Sequence, residues 1–592
     1  MTAPGRIAQV VPDIPTFAVD DGFSYSISPD MNVELGTIVR VPLGGRRVRG
    51  HVVGLRTGET DSLKPINAVS SSFPIFHTRL LETLRWLATH YVAPLSVLLS
   101  KAAPPNLPRP VRIPSLDPIA TQLPSPIPDL SKALAEGRHA RPHYLLTRWP
   151  HSEPIAALAA PVLQAQRSVV AVVSTVAEVE ALATELEERF PGRVLRGYTA
   201  LAAGKLTAEW TRASTQPGLL IVGTREAALW PVTGLALMVV VEEGRRAMKE
   251  KQTPTIHVRE VARRRAAIER HGLVFLGAVP TTELLAAGIP ISRTGGTRIW
   301  PLVEVVDRTE EPPGAGFVSS RALAAIRGTV DKNRRALVFT HRRGFAPAFR
   351  CSVCRVVRQC QVCEARADRS DRCVRCSASL GDCVECGGKR FEPLGAGVER
   401  LGVDLERSFE VGEVGSSAPV WLGTERDLAG AHQVDLAVVV DADGLIHAPH
   451  YRAAEDALRI LSRVAGMVGR GGGRRCLIQT GLPNDPVIVA LRHGDPLKFL
   501  EREIEKRAES RLPPSGEVIV VELDTDGEAD DDLRGLGRQG VEIFGPASRD
   551  GHFHWLIQGR DLRRVRVGLR RVVHEWRERG IRVRVDVDPL QL

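Results

Sequence analysis

The stretch from Cys351 to Cys386 reads CSVCRVVRQCQVCEARADRSDRCVRCSASLGDCVEC and holds eight of the nine cysteines of the chain. They form four Cys-x2-Cys pairs, which begin at residues 351, 360, 373 and 383. Each pair can place two thiolates on a tetrahedral ion, so two pairs complete a four-cysteine site. The cluster therefore predicts two structural zinc ions, with a partly disulfide-bonded or iron–sulfur cluster as the alternative. The spacing permits three ways of grouping the pairs and does not choose among them.

The composition is that of a multidomain globular protein. The chain has 592 residues, of which 43% are hydrophobic and 25% are charged, and at about 150 residues per domain this predicts roughly four domains. The net charge of +10 favours a polyanionic partner, with a slightly basic housekeeping enzyme as the alternative. Apolar runs such as Leu235–Val241 are too short to cross a membrane. The first thirty residues lack the apolar core of a signal peptide, so we expect a cytoplasmic protein.

Hydrophobic periodicity divides the chain into segments of different kinds. Residues 1–70 show the short runs and glycine turns of a small β domain, and the helical spacing of apolar residues after Phe73 predicts a helical module. The proline-rich stretch from Pro108 to Arg141 predicts a linker. Beyond it, strand-like runs alternate with helical patterns, which predicts two lobes with parallel sheets. The last eighty residues predict a small α+β domain.

Four further motifs lie around the cysteine pairs. His341–Pro347 (HRRGFAP) precedes them, and Gly395–Arg400 (GAGVER), Asp441–Asp443 (DAD) and Arg463–Gly471 (RVAGMVGRG) follow. In this order, together with the cysteine pairs, they resemble the PriA family of replication restart proteins, also called primosomal protein N'. Members of that family are superfamily 2 helicases of bacterial primosomes, and the resemblance extends over essentially the whole chain.

The resemblance implies a multidomain α/β fold with a small β DNA-binding domain, a winged helix, two degenerate RecA-like helicase lobes with an inserted two-zinc module, and an α+β C-terminal domain. It divides the chain into residues 1–70 as a 3'-end DNA-binding β domain, 71–110 as a winged-helix domain, 111–140 as a Pro-rich linker, 141–295 as helicase lobe 1, 296–508 as helicase lobe 2 with a zinc-binding insert at 351–386, and 509–592 as the C-terminal domain.

The resemblance also selects one grouping of the cysteine pairs. In the family the first and fourth pairs share one zinc, and the second and third share the other. This implies a first site of Cys351, Cys354, Cys383 and Cys386 and a second site of Cys360, Cys363, Cys373 and Cys376. Because every ligand is then a protein thiolate, both zinc ions are expected to be structural.

The segments that should form an ATP site depart from the family pattern. The predicted strand His143–Leu146 is followed by Thr147–Pro154 (TRWPHSEP), which contains neither Gly nor Lys, and no G-x4-G-K-[ST] motif occurs elsewhere. The acidic motif of the family is Asp-Glu-Glu-His, and here Val241 and Gly244 flank Glu242 and Glu243. In the last motif, Arg463 and Met467 replace a Gln and an Arg, while Arg470 is retained. We therefore expect a branch of the family without a helicase motor and without bound ATP and Mg²⁺.

The resemblance implies a DNA-binding surface on the amino-terminal domain. Its family pattern falls on Phe23, Tyr25, Gly44 and Lys64, with Ser24 in place of an acid. An aromatic ring can stack on a terminal base and a lysine can neutralise a phosphate, although one of the two aromatic rings is expected to be a core residue of its strand. The adjacent Arg46 and Arg47 are further candidates for phosphate contacts.

Trp86 matches one aromatic residue of the pocket with which the family binds the tail of single-stranded DNA-binding protein, and plain helix core is the alternative. The sequence thus predicts a zinc-containing DNA-binding primosome component, cytoplasmic and nucleoid-associated, that recognises stalled forks and recruits the replicative helicase without its own helicase activity. Its expected partners are branched fork DNA, single-stranded DNA, single-stranded DNA-binding protein, other primosome proteins and the replicative helicase, with no membrane. The alternatives are an active 3'-to-5' helicase with an unorthodox nucleotide site and a zinc scaffold that binds only protein.

Overall fold

The structure is a computed structural model. It describes residues 5–71, 73–119, 123–294, 296–309, 316–341, 349–354, 356–362, 371–373, 378–393, 398–429, 433–469, 471–524, 529–549 and 551–592. Across these residues the strands form several separate sheets, two of them parallel and flanked by helices. The chain is therefore a multidomain α/β protein, as predicted.

The amino-terminal strands form an antiparallel sheet in the order β2-β1-β4-β3-β5. Their bounds are β1 Gly5–Pro12, β2 Phe23–Ile27, β3 Ile38–Leu43, β4 Arg46–Gly58 and β5 Ala68–Ser71. Gly44 and Gly45 form the two-residue turn between β3 and β4, with φ of 54° and 77°, which is the left-handed backbone that such hairpins need. Ser26 and Pro65 bridge the edge strand β2 to the segment before β5, and this bridge partly closes the sheet on itself.

Helices follow this sheet, with bounds α1 Thr78–His90, α2 Leu95–Ala102 and α3 Pro128–Ala135. The apolar face of α1 is buried, as its spacing predicts. The helix α3 lies within the segment that the sequence predicts as a linker, and its buried Leu130 and Leu134 pack in one core with lobe 1. The preceding residues also contact lobe 1, because Arg193 donates to Asp117 O at 2.6 Å. The prolines interrupt any long hydrophobic periodicity in this part of the sequence, but the segment still packs against lobe 1.

Lobe 1 has a parallel sheet in the order β12-β6-β11-β10-β7-β9-β8. Its elements are β6 His143–Leu146, α4 Ser152–Gln164, β7 Ser168–Val172, α5 Val176–Arg189, β8 Val194–Gly197, α6 Ala203–Thr215, β9 Leu220–Gly223, β10 Leu235–Val241, α7 Val258–Glu269, β11 Gly272–Gly277, α8 Thr282–Ala286 and β12 Ile291–Arg293. The central strands are buried over almost their whole length, which explains their continuous apolar runs.

Lobe 2 repeats this architecture in the order β13-β20-β19-β14-β18-β17. Its elements are β13 Val303–Asp307, α9 Ser320–Val330, β14 Ala336–Phe339, β15 Phe349–Cys351, β16 Phe391–Pro393, α10 Val398–Glu406, β17 Val411–Glu413, β18 Val420–Gly423, β19 Leu436–Val439, α11 Asp443–Ile446, α12 Ala453–Gly466, β20 Arg475–Thr480, α13 Pro486–His493 and α14 Leu497–Glu509. The strands β15 and β16 pair antiparallel outside the main sheet. They form the base from which the cysteine segment projects.

The last segment has an antiparallel sheet in the order β22-β23-β21-β24. Its elements are β21 Glu517–Leu523, α15 Ala529–Arg534, β22 Val541–Arg549, β23 His552–Gly559, α16 Arg563–Glu578 and β24 Val583–Val587. Leu569, Val573 and Trp576 of α16 are buried. Among the described residues, no helix has both the length and the apolar character needed to cross a membrane.

Candidate functional site

The loop after β6 lies where the sequence predicts a phosphate-binding loop. It leads directly into α4, which begins at Ser152 and carries Glu153 in its first turn. Pro150 and Pro154 have no amide hydrogen to donate, and the charge of Glu153 opposes an anion at the helix amino terminus. The strand–loop–helix geometry of a nucleotide site is therefore present, but its groups do not suit phosphate.

Glu242 follows β10 at the same edge of the sheet, and it is paired with cations. The Arg463 guanidinium donates to its carboxylate, Arg245 Nη1 lies 3.5 Å from Oε2, and His151 Nε2 lies 3.8 Å from Oε1. Burial raises the pKa of Glu242, but Arg463, His151 and Arg245 together lower it below its ordinary value. The carboxylate is therefore ionised and already neutralised by protein groups.

Arg463 joins the two lobes at this point. It lies on α12 of lobe 2 and is 4% exposed, and besides Glu242 it donates to Glu178 of α5 in lobe 1. Its guanidinium also donates to Leu428 O at 2.8 Å and lies 4.9 Å from the centroid of the Trp149 ring. Each of the three guanidinium nitrogens of this arginine thus donates within the protein.

Little space remains beside the loop. The cavity there has a volume of about 20 Å³ and is bordered by Trp149, Pro150, Glu178 and Glu185 among others. This volume holds about one water molecule, whereas pockets for drug-sized ligands occupy about 300–1,000 Å³. Among the described residues that line it, none is Lys or Arg. The cavity has neither the size nor the charge for a nucleotide.

The other acidic residue, Glu243, points away from this cavity. Its Oε1 accepts from Thr281 N at 2.9 Å, and it is fully buried. Burial raises the pKa of Glu243 above its ordinary value, although Arg459 opposes the shift. Arg470, the retained arginine of the last motif, lies outside the described residues.

The structure brings the first and fourth cysteine pairs together. The Sγ atoms of Cys351, Cys354, Cys383 and Cys386 all lie within 4.8 Å of one another, and two of the four cross-pair distances, Cys351–Cys386 and Cys354–Cys383, are 3.5 Å and 3.4 Å. A tetrahedral ion with bonds of about 2.3 Å places its sulfur ligands about 3.8 Å apart. These four residues could therefore hold a metal ion, with the grouping that the resemblance implies.

The backbone around this cluster also suits a metal site. Amides of Cys354 and Val353 lower the pKa of the Cys351 thiol, whereas the pKa of Cys354 is raised, against the amide of Val356, by burial and the neighbouring thiols. The four sulfur atoms are thus close enough to share a proton, and a bound cation would be needed to hold all four as thiolates. A Cβ atom at Gly388 would lie 3.0 Å from Cys351 Sγ and 3.3 Å from Cys386 Sγ. Glycine at this position therefore lets the backbone approach the sulfur cluster closely.

The second cysteine site lies partly outside the described residues. Cys360 and Cys373 share a small buried cluster with Leu380, so the structure places one member of each inner pair together. Cys363 and Cys376 are not described. The second zinc thus stays a prediction.

The amino-terminal candidates separate into surface and core residues. Tyr25 is 3% exposed, lies in the core of its sheet and donates its hydroxyl to Pro42 O at 3.2 Å, so it is the aromatic ring with the structural role. Phe23 is 40% exposed. The turn residue Gly44 and the side chains of Arg46, Arg47 and Lys64 are exposed as well. A stacking contact by Tyr25 is therefore not supported, whereas Phe23 and the basic residues remain available.

Trp86 is half-buried on α1 beside the carboxyl end of the chain. Its ring stacks on His90 at a centroid distance of 4.5 Å, and the Arg264 guanidinium lies 5.2 Å from its centroid. His90 Nε2 in turn lies 3.5 Å from Asp588 Oδ2. The ring is thus packed against the core on one side and lies beside His90 and Arg264 on the other, so its role as a partner contact stays a prediction.

Sequence reasoning missed Glu178 and Arg245, which complete the cluster around Glu242. Arg245 Nη1 contacts Glu178 Oε1 at 2.5 Å, and Glu178 also closes a capping box with Thr175. The sequence signal for Glu178 is that of a helix start, and it does not indicate a second partner more than sixty residues away.

Comparisons with known proteins agree with the motif pattern. The model of the PriA 3'DNA-binding domain (3'BD) matches residues 9–104, which include most of the amino-terminal sheet with α1 and α2. Over 99% of both chains, the sequence is 26% identical to "Replication restart protein PriA" of Treponema pallidum. This chain is similar to replication restart protein PriA over almost its whole length. The PriA of Rickettsia conorii is 23% identical over 92% of each chain, and the "Probable replication restart protein PriA" of Mycobacterium leprae is 26% identical over 85% of this chain and 86% of its own length.

Proposed function

We propose that this PriA relative is a DNA-binding primosome component that recognises stalled or collapsed replication forks and recruits the replicative helicase, without helicase activity of its own. The observation that carries the proposal is the occupied cleft at Glu242. Around it, lobe 1 keeps the architecture of a nucleotide site, while Arg463 and Trp149 fill the space.

The charges around Glu242, as well as the small volume of the cavity beside it, argue against ATP turnover. A nucleotide brings several negative charges, and the cations nearest to them, Arg463 and Arg245, are already paired with Glu178 and Glu242. Displacing Arg463 would leave Glu178 and Glu242 buried with one fewer cation between them, and an unpaired buried charge costs about 3–5 kcal/mol. Nucleotide binding would have to overcome this cost before it gained any phosphate contact. Turnover of ATP is therefore not expected.

Recognition of the fork is assigned to the amino-terminal domain. Phe23 offers an exposed ring to the terminal base of a 3' end, and Lys64 offers a cation. Arg46 and Arg47 project from the hairpin after Gly44, where they can reach the phosphate backbone. The match of this region to the PriA 3'DNA-binding domain supports the assignment.

The remaining segments receive supporting roles. The match to the 3'DNA-binding domain extends to residue 104 and so covers α1 and α2, which is why we assign both helices to that domain and not to a separate winged helix at residues 71–110. We assign the cysteine segment to a module with two structural zinc ions, whose fully protein-ligated sites leave no open position for catalysis. The first of these sites would consist of Cys351, Cys354, Cys383 and Cys386, whose sulfur atoms lie within 4.8 Å of one another. Trp86, with its aromatic and cationic neighbours, is the candidate contact for the tail of single-stranded DNA-binding protein.

Phosphate release by the purified protein, with and without fork DNA, tests the missing motor. We expect no DNA-stimulated turnover. Turnover that is abolished by Glu242→Gln would reject the proposal in favour of an active 3'-to-5' helicase with an unorthodox nucleotide site.

Fork binding, measured by fluorescence anisotropy over a salt series, tests the DNA-binding role. We expect tighter binding to forks with a 3' end at the branch, and Phe23→Ala should reduce this preference. Leu55→Ala is the matched control, because Leu55 is an exposed apolar residue of the same sheet. Binding without preference and without salt dependence would favour a scaffold that binds only protein.

A further inference from the structure

We propose that one face of α12 ties the two lobes together across the cleft and thereby replaces nucleotide as the element that joins them. Arg452, Glu455, Arg459 and Arg463 follow one another at intervals of three, four and four residues, so they share one helical face. We call these four residues the α12 charge stripe. All of them are buried; lobe 1 supplies a polar partner to Arg452, which caps the start of α12, and to Glu455 and Arg463, and a backbone contact at Gly244 to Arg459. The inference deepens the proposed loss of the motor and rests on it for its functional meaning.

The first half of the stripe contacts α8 of lobe 1. The Arg452 guanidinium donates to the carboxylate of Glu283, and Glu455 Oε2 accepts from Thr282 Oγ1 at 3.2 Å. Arg507 of α14 reinforces this contact, since it lies 3.0 Å from Glu455 and donates to Thr282 at 2.9 Å. Two helices of lobe 2, α12 and α14, therefore contact α8 of lobe 1.

The second half of the stripe contacts the edge of lobe 1 where a nucleotide would bind. Arg463 pairs with Glu242 and Glu178, as described above. Arg459 is held by Glu455 at 2.7 Å, and its guanidinium packs directly on Gly244, where a Cβ atom would lie 2.4 Å from Cζ. A histidine or any other side chain at Gly244 would collide with this arginine.

Two departures from the family pattern are therefore complementary in space. Gly244 provides the room that Arg459 occupies, and Arg463 provides the cation that neutralises Glu242 and Glu178. Although Gly244 and Arg463 are far apart in sequence and lie in different lobes, both serve the same interface. Both departures thus favour the same contact between the lobes, so we infer that the cleft has been rebuilt as a fixed contact.

We call this fixed contact between the two lobes the lock. Hydrogen–deuterium exchange of the full-length protein tests it. In the wild type, we expect the amides of Thr147–His151 and of α12 to exchange slowly and equally with and without Mg²⁺-ATP. Arg463→Gln removes the cation and should speed exchange in both segments by about tenfold or more. Arg327→Gln is the matched control, because Arg327 is an exposed arginine of lobe 2 and should leave both segments unchanged.

A second variant keeps the test decisive if Arg463→Gln does not fold. Arg463→Lys keeps the charge but cannot bond both carboxylates at once, so exchange should lie between the wild type and Arg463→Gln. Exchange equal to that of the wild type in the folded variants would overturn the lock, whatever the result of the ATP assay. Conversely, ATP turnover by a wild type whose cleft exchange is slow and ATP-independent would reject the proposed loss of the motor and leave the lock in place.

Discussion

Lys249→Met should release the carboxyl-terminal segment from lobe 1. Lys249 is almost fully buried, and its Nζ donates to Asp586 Oδ1 at 2.5 Å, Asp588 O at 2.6 Å and Val587 O at 2.7 Å. Burial lowers the pKa of Lys249, while Asp586 opposes that shift. Part of the free energy gained from these hydrogen bonds offsets the cost of removing the ammonium from water. The net stabilisation is therefore smaller than the sum of three charged hydrogen bonds.

Breaking a buried ion pair from one side costs about 3–5 kcal/mol. At the lower figure, the detached state of β24 becomes roughly a hundredfold more populated, since about 1.4 kcal/mol is a factor of ten. A thermal midpoint is a poor measure in a multidomain chain, so amide exchange of Val583–Val587 is the suitable assay. Lys251→Met is the matched control, because Lys251 is exposed two residues further along. Equal exchange of β24 in the two variants would refute this account of the contact.

Three further predictions concern DNA, metal and pH. Arg46→Ala and Arg47→Ala should each weaken fork binding and reduce by about one the slope of the logarithm of the binding constant against the logarithm of the salt concentration. Arg327→Ala is the control and should change neither the affinity nor the slope. Unchanged slopes in the first two variants would show that these arginines do not contact phosphate. Mass spectrometry should find about two zinc ions per chain and about one in Cys354→Ser, with no loss in Cys476→Ala. Burial lowers the pKa of His271 from 6.5 to about 4, so the folded state binds fewer protons than the unfolded state, and up to about 3 kcal/mol is lost as pH falls from 6.5 to 4. Urea titrations should show a smaller acid loss in His271→Gln; an identical pH dependence would contradict this.

Much of the fold can be predicted because buried parallel strands need continuous apolar runs. The run Leu235–Val241 is a strand with those bounds in the structure, and the helical pattern after Val176 is a helix to Arg189. The helix α3 was missed, because proline-rich sequence masks an eight-residue amphipathic segment.

The candidate site could be predicted in its residues but not in its contacts. Motif comparison shows that Arg463 and Gly244 depart from a pattern, yet it cannot show that both lie at one interface, since the choice of partner depends on how the lobes pack. Spacing likewise could not group the cysteine pairs, whereas β15 and β16 fix the base of the segment and bring its ends together. Long-range pairing of charges and thiols is set by tertiary structure and has no local signature.

The α12 charge stripe has a consequence for how such a chain can evolve. The buried charge of Arg463 is stabilised by Glu178 and Glu242, and the buried charges of these two acids are stabilised by Arg463 and Arg245. Changing Arg463 to the Gln of the family pattern would leave Glu178 and Glu242 buried with Arg245 but with one fewer cation, at a cost of up to about 3–5 kcal/mol. A stepwise exchange of these residues would therefore pass through destabilised intermediates unless both lobes changed together. The contact thus makes substitutions in one lobe depend on the residues of the other.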